Sequence, residues 1–263
     1  MLKLIRSNQK NFLSKLDLIL EKKKYKNLKI DSKVKIIIND IKKNRDSALI
    51  KYEKKFTKNK NISLKNIKFT KKEIKKIIKK LDKKTKVSID IAYTRILNFH
   101  KKQKLSSFSF TDKFKNSFAY KLNAINKVGV YVPGGLASYP SSVLMNCIPA
   151  IVAGVKNIYM ATPSMGVNYN SAVIYAAEKC KIKKIYKIGG AQAVAAMAYG
   201  TKTVDRVDKI VGPGNTYVAT AKKQVFGDVG IDMIAGPSEV TIVADKWSKP
   251  DWVAADLIAQ AEH

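Results

Sequence analysis

Val128-Gly129-Val130-Tyr131-Val132-Pro133-Gly134-Gly135 reads as a short apolar strand closed by a glycine turn, and it decides the fold because the design returns three times downstream. Asn157 to Ala161 is a second strand, followed by Thr162-Pro163-Ser164. Lys184 to Ile188 is a third and runs into Gly189-Gly190-Ala191-Gln192, and Val207 to Val211 is a fourth and runs into Gly212-Pro213-Gly214-Asn215. Helix-patterned stretches separate and follow them: Ser141 to Val155, about Asn170 to Cys180, Ala191 to Tyr199 and Asn215 to Phe226. Short apolar strands alternating with helices predict a parallel sheet with crossover helices. The expected class is α/β, a Rossmann-like parallel-sheet domain joined to a mainly helical, incomplete α/β N-terminal domain.

Ligands of open parallel sheets sit outside the carboxyl ends of the strands, and that rule gathers the four turns onto one edge. Glycine lets backbone approach a ligand closely, and each following helix begins with unpaired N–H groups that favour phosphate. No turn matches G-x-G-x-x-G, and each alone reads as an ordinary strand-to-helix connection. Their convergence on one edge is what points to a nucleotide.

Downstream, Ile231 to Glu239 ends in Ala235-Gly236-Pro237-Ser238-Glu239 before an expected strand, Val240 to Ala244. A loop to Pro250 follows, then a final helix from Asp251 to His263, with Pro250 placed to start it. Gln260 and His263 stand at i and i+3, on one helical face. They could converge on a metal or be a polar last turn.

Upstream, Lys33 to Phe56 and Thr70 to Lys104 carry apolar residues at helical spacing, for example Val34, Ile37, Ile38 and Ile41. Ser106 to Asn126 alternates aromatic and polar residues, as a short strand or hairpin does. The divisions expected are an N-terminal helical arm (1–27), a first α/β domain from 28–127 and 237–263, and the sheet domain (128–236).

The net charge of +31 is uneven: residues 1–127 carry 38 Lys and Arg against 10 acids, and residues 128–263 carry 13 against 10. Only Arg6, Arg45, Arg95 and Arg206 are arginine, the residue suited to bidentate base and phosphate contacts. Lysine rich in company with Asn and Ile points to coding bias on solvated helix faces, with attraction for an anionic cofactor or RNA as the alternative. Specific nucleic-acid binding is not expected. Cys147 and Cys180 lie in apolar helical patterns without C-x-x-C spacing, which argues against a disulfide framework. No apolar stretch reaches the ~18 residues of a membrane span, and the N-terminus has no signal-peptide core, so a cytoplasmic protein is expected.

Five motifs then appear in order: Val128 to Gly135, Gly189 to Ala193, Val207 to Asn215, Ile231 to Glu239, and Gln260-Ala261-Glu262-His263. Together they resemble histidinol dehydrogenase, over about residues 128–263. The resemblance implies a homodimeric, zinc-dependent, NAD-linked enzyme that oxidises L-histidinol to L-histidine through an aldehyde. By resemblance, Tyr131, Gln192 and Asn215 contact NAD; Ser238, Gln260 and His263 contact substrate; and Gln260 and His263 bind zinc, whose role is to template histidinol before the nicotinamide. The family's Glu-His acid–base pair and remaining Asp and His zinc ligands have no counterpart here and are expected beyond His263. No catalytic residue is therefore assigned within the chain, and the chain by itself is expected to be inactive. A decayed, non-catalytic remnant that keeps nucleotide or RNA binding is the alternative.

Overall fold

A computed structural model describes residues 6–57, 60–134, 139–163, 169–234 and 240–261, with the backbone alone for 19–27. It begins with α1 (Phe12–Phe56), which is two helical segments, because Arg45 interrupts it at φ 48°, ψ −122°. Across that break Lys51 Nζ donates to Asp40 Oδ2 at 2.8 Å, although eleven residues of straight helix would separate them by about 16 Å. The second segment therefore folds back toward the first. Arg45 Nη1 holds the bend by donating to the carbonyls of Tyr199 and Gly200, each at 2.9 Å.

The helical pattern from Thr70 to Lys104 is broken as well. It forms α2 (Lys71–Ile78) and α3 (Lys83–Lys102). Thr70 and Glu73 make a reciprocal capping box at the first start, and at the second the Asp82 carboxylate accepts from the Thr85 N–H at 2.8 Å. Two N-caps twelve residues apart, Thr70 and Asp82, outweigh the continuous apolar spacing. An antiparallel hairpin follows, β1 (Phe108–Thr111) and β2 (Ser117–Tyr120), in which Phe108 stacks on Tyr120 and Phe110 on Phe118.

The sheet then runs β3 (Lys127–Tyr131), α4 (Pro140–Val152), β4 (Asn157–Ala161), α5 (Ser171–Lys179), β5 (Lys184–Tyr186), α6 (Gly190–Tyr199), β6 (Lys209–Val211), α7 (Thr216–Val225) and β7 (Gly230–Ile231). All five strands are parallel in the spatial order β5-β4-β3-β6-β7. Two successive crossovers lead away from β3 on one side, and the chain then returns to β6 on the other. That places the topological switch at β3 and β6, where such sheets open a crevice.

Strand alternation divides the core. Val128, Val130, Val132, Ile158, Met160 and Ile185 point to a face covered by α3, α4 and α5. Tyr131, Tyr159, Ala161, Tyr186 and Ile210 point to the other, under α1, α6 and α7. Strands apolar on both faces are the mark of a sheet buried between helices. Residues Ile30 to Tyr52 of the lysine-rich half thus belong to the same core as α6 and α7.

The expected strand from Val240 to Ala244 is not formed; this segment is irregular, with Val243 94% exposed, and among the described residues no strand pairs with it. Without a partner for its backbone groups, a β-prone run stays solvated. The last helix, α8 (Pro250–Ala261), has no buried residue. Among the described residues no helix is long and apolar enough to cross a membrane, and both cysteines are free and buried.

Candidate functional site

The carboxyl ends of β3, β4, β5 and β6 meet α1 around a cavity of about 700 Å³. Pro133 and Gly134, Pro163, Gly189 to Gln192, and Asn215 line one wall. Lys33, Ile36, Ile37, Tyr52, Lys55, Phe56 and Thr57, from or just beyond the two arms of α1, line the other. The four turns singled out by sequence therefore each reach one space, with Gly135 and Ser164 outside the described residues.

The glycines allow this convergence. A Cβ at Gly189 would strike the ring of Pro163, and one at Gly212 would strike the Tyr131 carbonyl, at a φ of 113° that side chains rarely adopt. The Gly212 turn is also clamped from beneath. Asp232 Oδ2 accepts from its N–H at 2.8 Å, Lys222 Nζ donates to its carbonyl at 2.9 Å, and Lys222 pairs with Asp232. Lys222 is 3% exposed and Asp232 29%, so the buried ammonium is committed to the turn while the carboxylate keeps some contact with solvent.

Tyr131 ends β3 and is buried, and its hydroxyl accepts from the Gly190 N–H at 3.0 Å. Burial pushes this phenol up to about 12, against the Gly190 bond and with the Glu53 charge adding to the rise. Gln192 is 2% exposed, and its Nε2 donates to Glu53 Oε1 at 2.8 Å. The same oxygen accepts from the Gly189 N–H at 2.9 Å. Burial raises the Glu53 carboxyl to about 7, although both hydrogen bonds favour its ionised form. Asn215 is the N-cap of α7: its Oδ1 accepts from the Val218 N–H at 3.2 Å. A cap uses the oxygen and leaves the Nδ2 donors for another partner.

The three NAD candidates, Tyr131, Gln192 and Asn215, thus line one cavity. The substrate and zinc candidates are placed differently. Ser238 and His263 lie outside the described residues; Gln260, half-buried on α8, does not line the cavity. His100 lies in the last turn of α3 and shares a 2.7 Å hydrogen bond between its Nδ1 and Gln103 Oε1. Among the described residues no group of three or more His, Cys, Asp or Glu could hold a metal.

Two residues escaped the sequence reading, Glu53 and Lys222. Each interrupts an apolar helical stripe: Glu53 follows Leu49 by four, and Lys222 follows Val218 by four and precedes Val225 by three. A lone charge at a core position is seldom buried without a partner, which is the signal that would have found both.

The chain has relatives. A family model described as histidinol dehydrogenase matches residues 20–263. A histidinol dehydrogenase of Pelagibacter ubique is 57% identical over 264 residues, covering 100% of this chain and 60% of that protein. One from Clostridium acetobutylicum is 47% identical over 244 residues, covering 92% and 56%. A crystal structure of histidinol dehydrogenase from Elizabethkingia anophelis superposes with a TM-score of 0.79 at 41% identity, covering 88% of this chain and 53% of that one. The chain therefore spans somewhat over half the length of the relatives it matches.

Proposed function

This chain belongs to the histidinol dehydrogenase family, and from that premise we propose that it carries the NAD-binding part of an enzyme that oxidises L-histidinol to L-histidine through the aldehyde. The family places it among oxidoreductases of histidine biosynthesis. A cytoplasmic location and a homodimer of the whole enzyme belong to the same proposal, as does the division into an arm (1–27), a first domain (28–127 with 237–263) and a sheet domain (128–236).

The observation that carries the reading is that Tyr131, Gln192 and Asn215, from three turns far apart in sequence, line one cavity at the switch of a parallel sheet. The residues present suit a dinucleotide. Glycine turns allow close approach, Phe56, which stacks on Tyr52, and Tyr217 are partly exposed aromatics, and the charged residues among the described lining are both lysines. NAD, when bound, supplies the acceptor for the hydride released by the alcohol. Tyr131 braces the Gly190 backbone, Gln192 is oriented by Glu53, and Asn215 offers Nδ2 while its oxygen caps α7.

Zinc is proposed at Gln260 and His263 with further ligands. A single described carboxamide does not make a zinc site, since three or four ligands are needed, so no step is derived through the metal. The family's acid–base pair lies outside the assigned residues, and turnover by the 263-residue chain alone is not expected.

The test is an NAD titration of the wild type, Gln192→Leu and Asn215→Ser. Serine keeps the cap and removes the amide donor. Each variant is expected to lose about one hydrogen bond of affinity, roughly 0.5–1.5 kcal/mol. Unchanged NAD affinity in both variants would refute the assignment.

A further inference from the structure

Glycine turns explain one wall of the cavity. The other is built by a stretch that the family motifs do not include. Because α1 folds back at Arg45, Lys33 from the first arm and Lys55 from the second both line the same space. They are the charged residues among its described lining, and no acidic side chain shares it. Among the described residues neither lysine has an ion pair; Lys55 Nζ lies 5.7 Å from the centre of the Phe56 ring. Phe56 and Ile36 also line the cavity while 55% and 64% exposed. Apolar groups left uncovered beside uncompensated cations form a surface that suits a flat base joined to phosphate.

The wall is not a loose flank. Glu53, two residues before Lys55, reaches across to the Gly189 N–H and to Gln192. Arg45 fastens the bend to the end of α6. Lys55 is thus carried on a segment held to the glycine turn by Glu53 and to the end of α6 by Arg45, and beside Lys33 the Asp31 carbonyl accepts from Gln224 Nε2 of α7 at 2.9 Å.

We propose that the folded-back α1 is the nucleoside-diphosphate wall of the cavity, with Lys33 and Lys55 taking the phosphates and Phe56 with Ile36 covering the base. This rests on the nucleotide reading above and assigns residues to it that the family resemblance does not. Part of the lysine excess of the N-terminal half then has a function, while the rest sits on solvated faces.

The probe is ADP, with adenosine as the control lacking phosphate, titrated calorimetrically into the 263-residue chain. Lys33→Gln/Lys55→Gln is expected to weaken ADP about tenfold or more, because two charge-assisted contacts are lost, and to flatten the salt dependence of binding. Adenosine affinity is expected to stay unchanged in that variant and to fall, with that for ADP, in Phe56→Ala. All three side chains are exposed, so unchanged melting temperatures are expected and exclude misfolding as the cause. Wild-type affinity for ADP in the double lysine variant overturns the proposal, as does failure of ADP to bind the wild type. If NAD binding still falls in Gln192→Leu and Asn215→Ser, that failure belongs to the α1 wall alone and the nucleotide reading stands.

Discussion

The two walls of the cavity differ in how they are made. The glycine wall is local: each turn follows its own strand and opens its own helix, so six or seven consecutive residues specify it. The α1 wall is non-local: it depends on a bend at Arg45, on carbonyls at Tyr199 and Gly200, and on a carboxylate that reaches 136 residues along the chain to Gly189. One wall can be read; the other has to be folded.

If the glycine wall depends on the ion pair beneath it, Lys222→Ala is expected to have the largest effect. It leaves Asp232 and the Gly212 carbonyl without their cation, at about 3 kcal/mol, the low end of the range for broken buried pairs because Asp232 is 29% exposed; urea unfolding of the variant measures it. A loss below about 0.5 kcal/mol would show that water replaces the ammonium without cost.

The link between the walls should respond to pH by a similar amount. Glu53 is raised from an ordinary 4.5 to about 7. A raised carboxyl favours the folded state while it is protonated. Its contribution is therefore complete below about pH 4.5 and lost as pH rises through 7, about 3 kcal/mol in all. Glu53→Gln keeps an oxygen that can accept from both Gly189 and Gln192, and should remove this slope between about pH 4.5 and 7. Parallel stability–pH curves for wild type and variant would contradict the assignment to Glu53.

The bend itself offers a smaller, signed comparison. Arg45→Ala loses two charge-assisted bonds, at about 1–2 kcal/mol for an exposed group. Arg45→Gly loses the same bonds but relieves a backbone at φ 48°, which returns about 1 kcal/mol. Glycine should therefore be the milder substitution in thermal melts, and alanine the milder one if the backbone is unstrained.

Smallest is the cap. Asn215→Ala should cost about 1 kcal/mol of stability and Asn215→Ser a few tenths. Equal melting temperatures for the two variants would mean that the 3.2 Å bond to Val218 contributes nothing.

What the sequence disclosed follows the same division. The parallel sheet, four of its strands and the gathering of Tyr131, Gln192 and Asn215 were legible, because strand alternation and glycine turns act over a few residues. The Arg45 bend was hidden inside an unbroken helical spacing from Val34 to Tyr52, since nothing in the periodicity registers a single residue at positive φ. The start of the next helical stretch at Thr70 was legible, but the second N-cap at Asp82, three residues before Thr85, was masked by the apolar spacing through Leu81. Val240 to Ala244 has the composition of a strand, but composition supplies no partner for its backbone. Ser238 and His263 lie outside the described residues, so the substrate and zinc assignments rest on the resemblance.

The central claim is that NAD sits between the glycine turns and the folded-back α1. Amide hydrogen exchange with and without saturating NAD tests it most directly, because it reports both walls in one experiment. Slowed exchange is predicted at 189–193 and 213–217 and also at 33–37 and 52–57, with α3 and the β1–β2 hairpin unchanged. Protection confined to α3 or that hairpin, or none at saturation, would contradict the account.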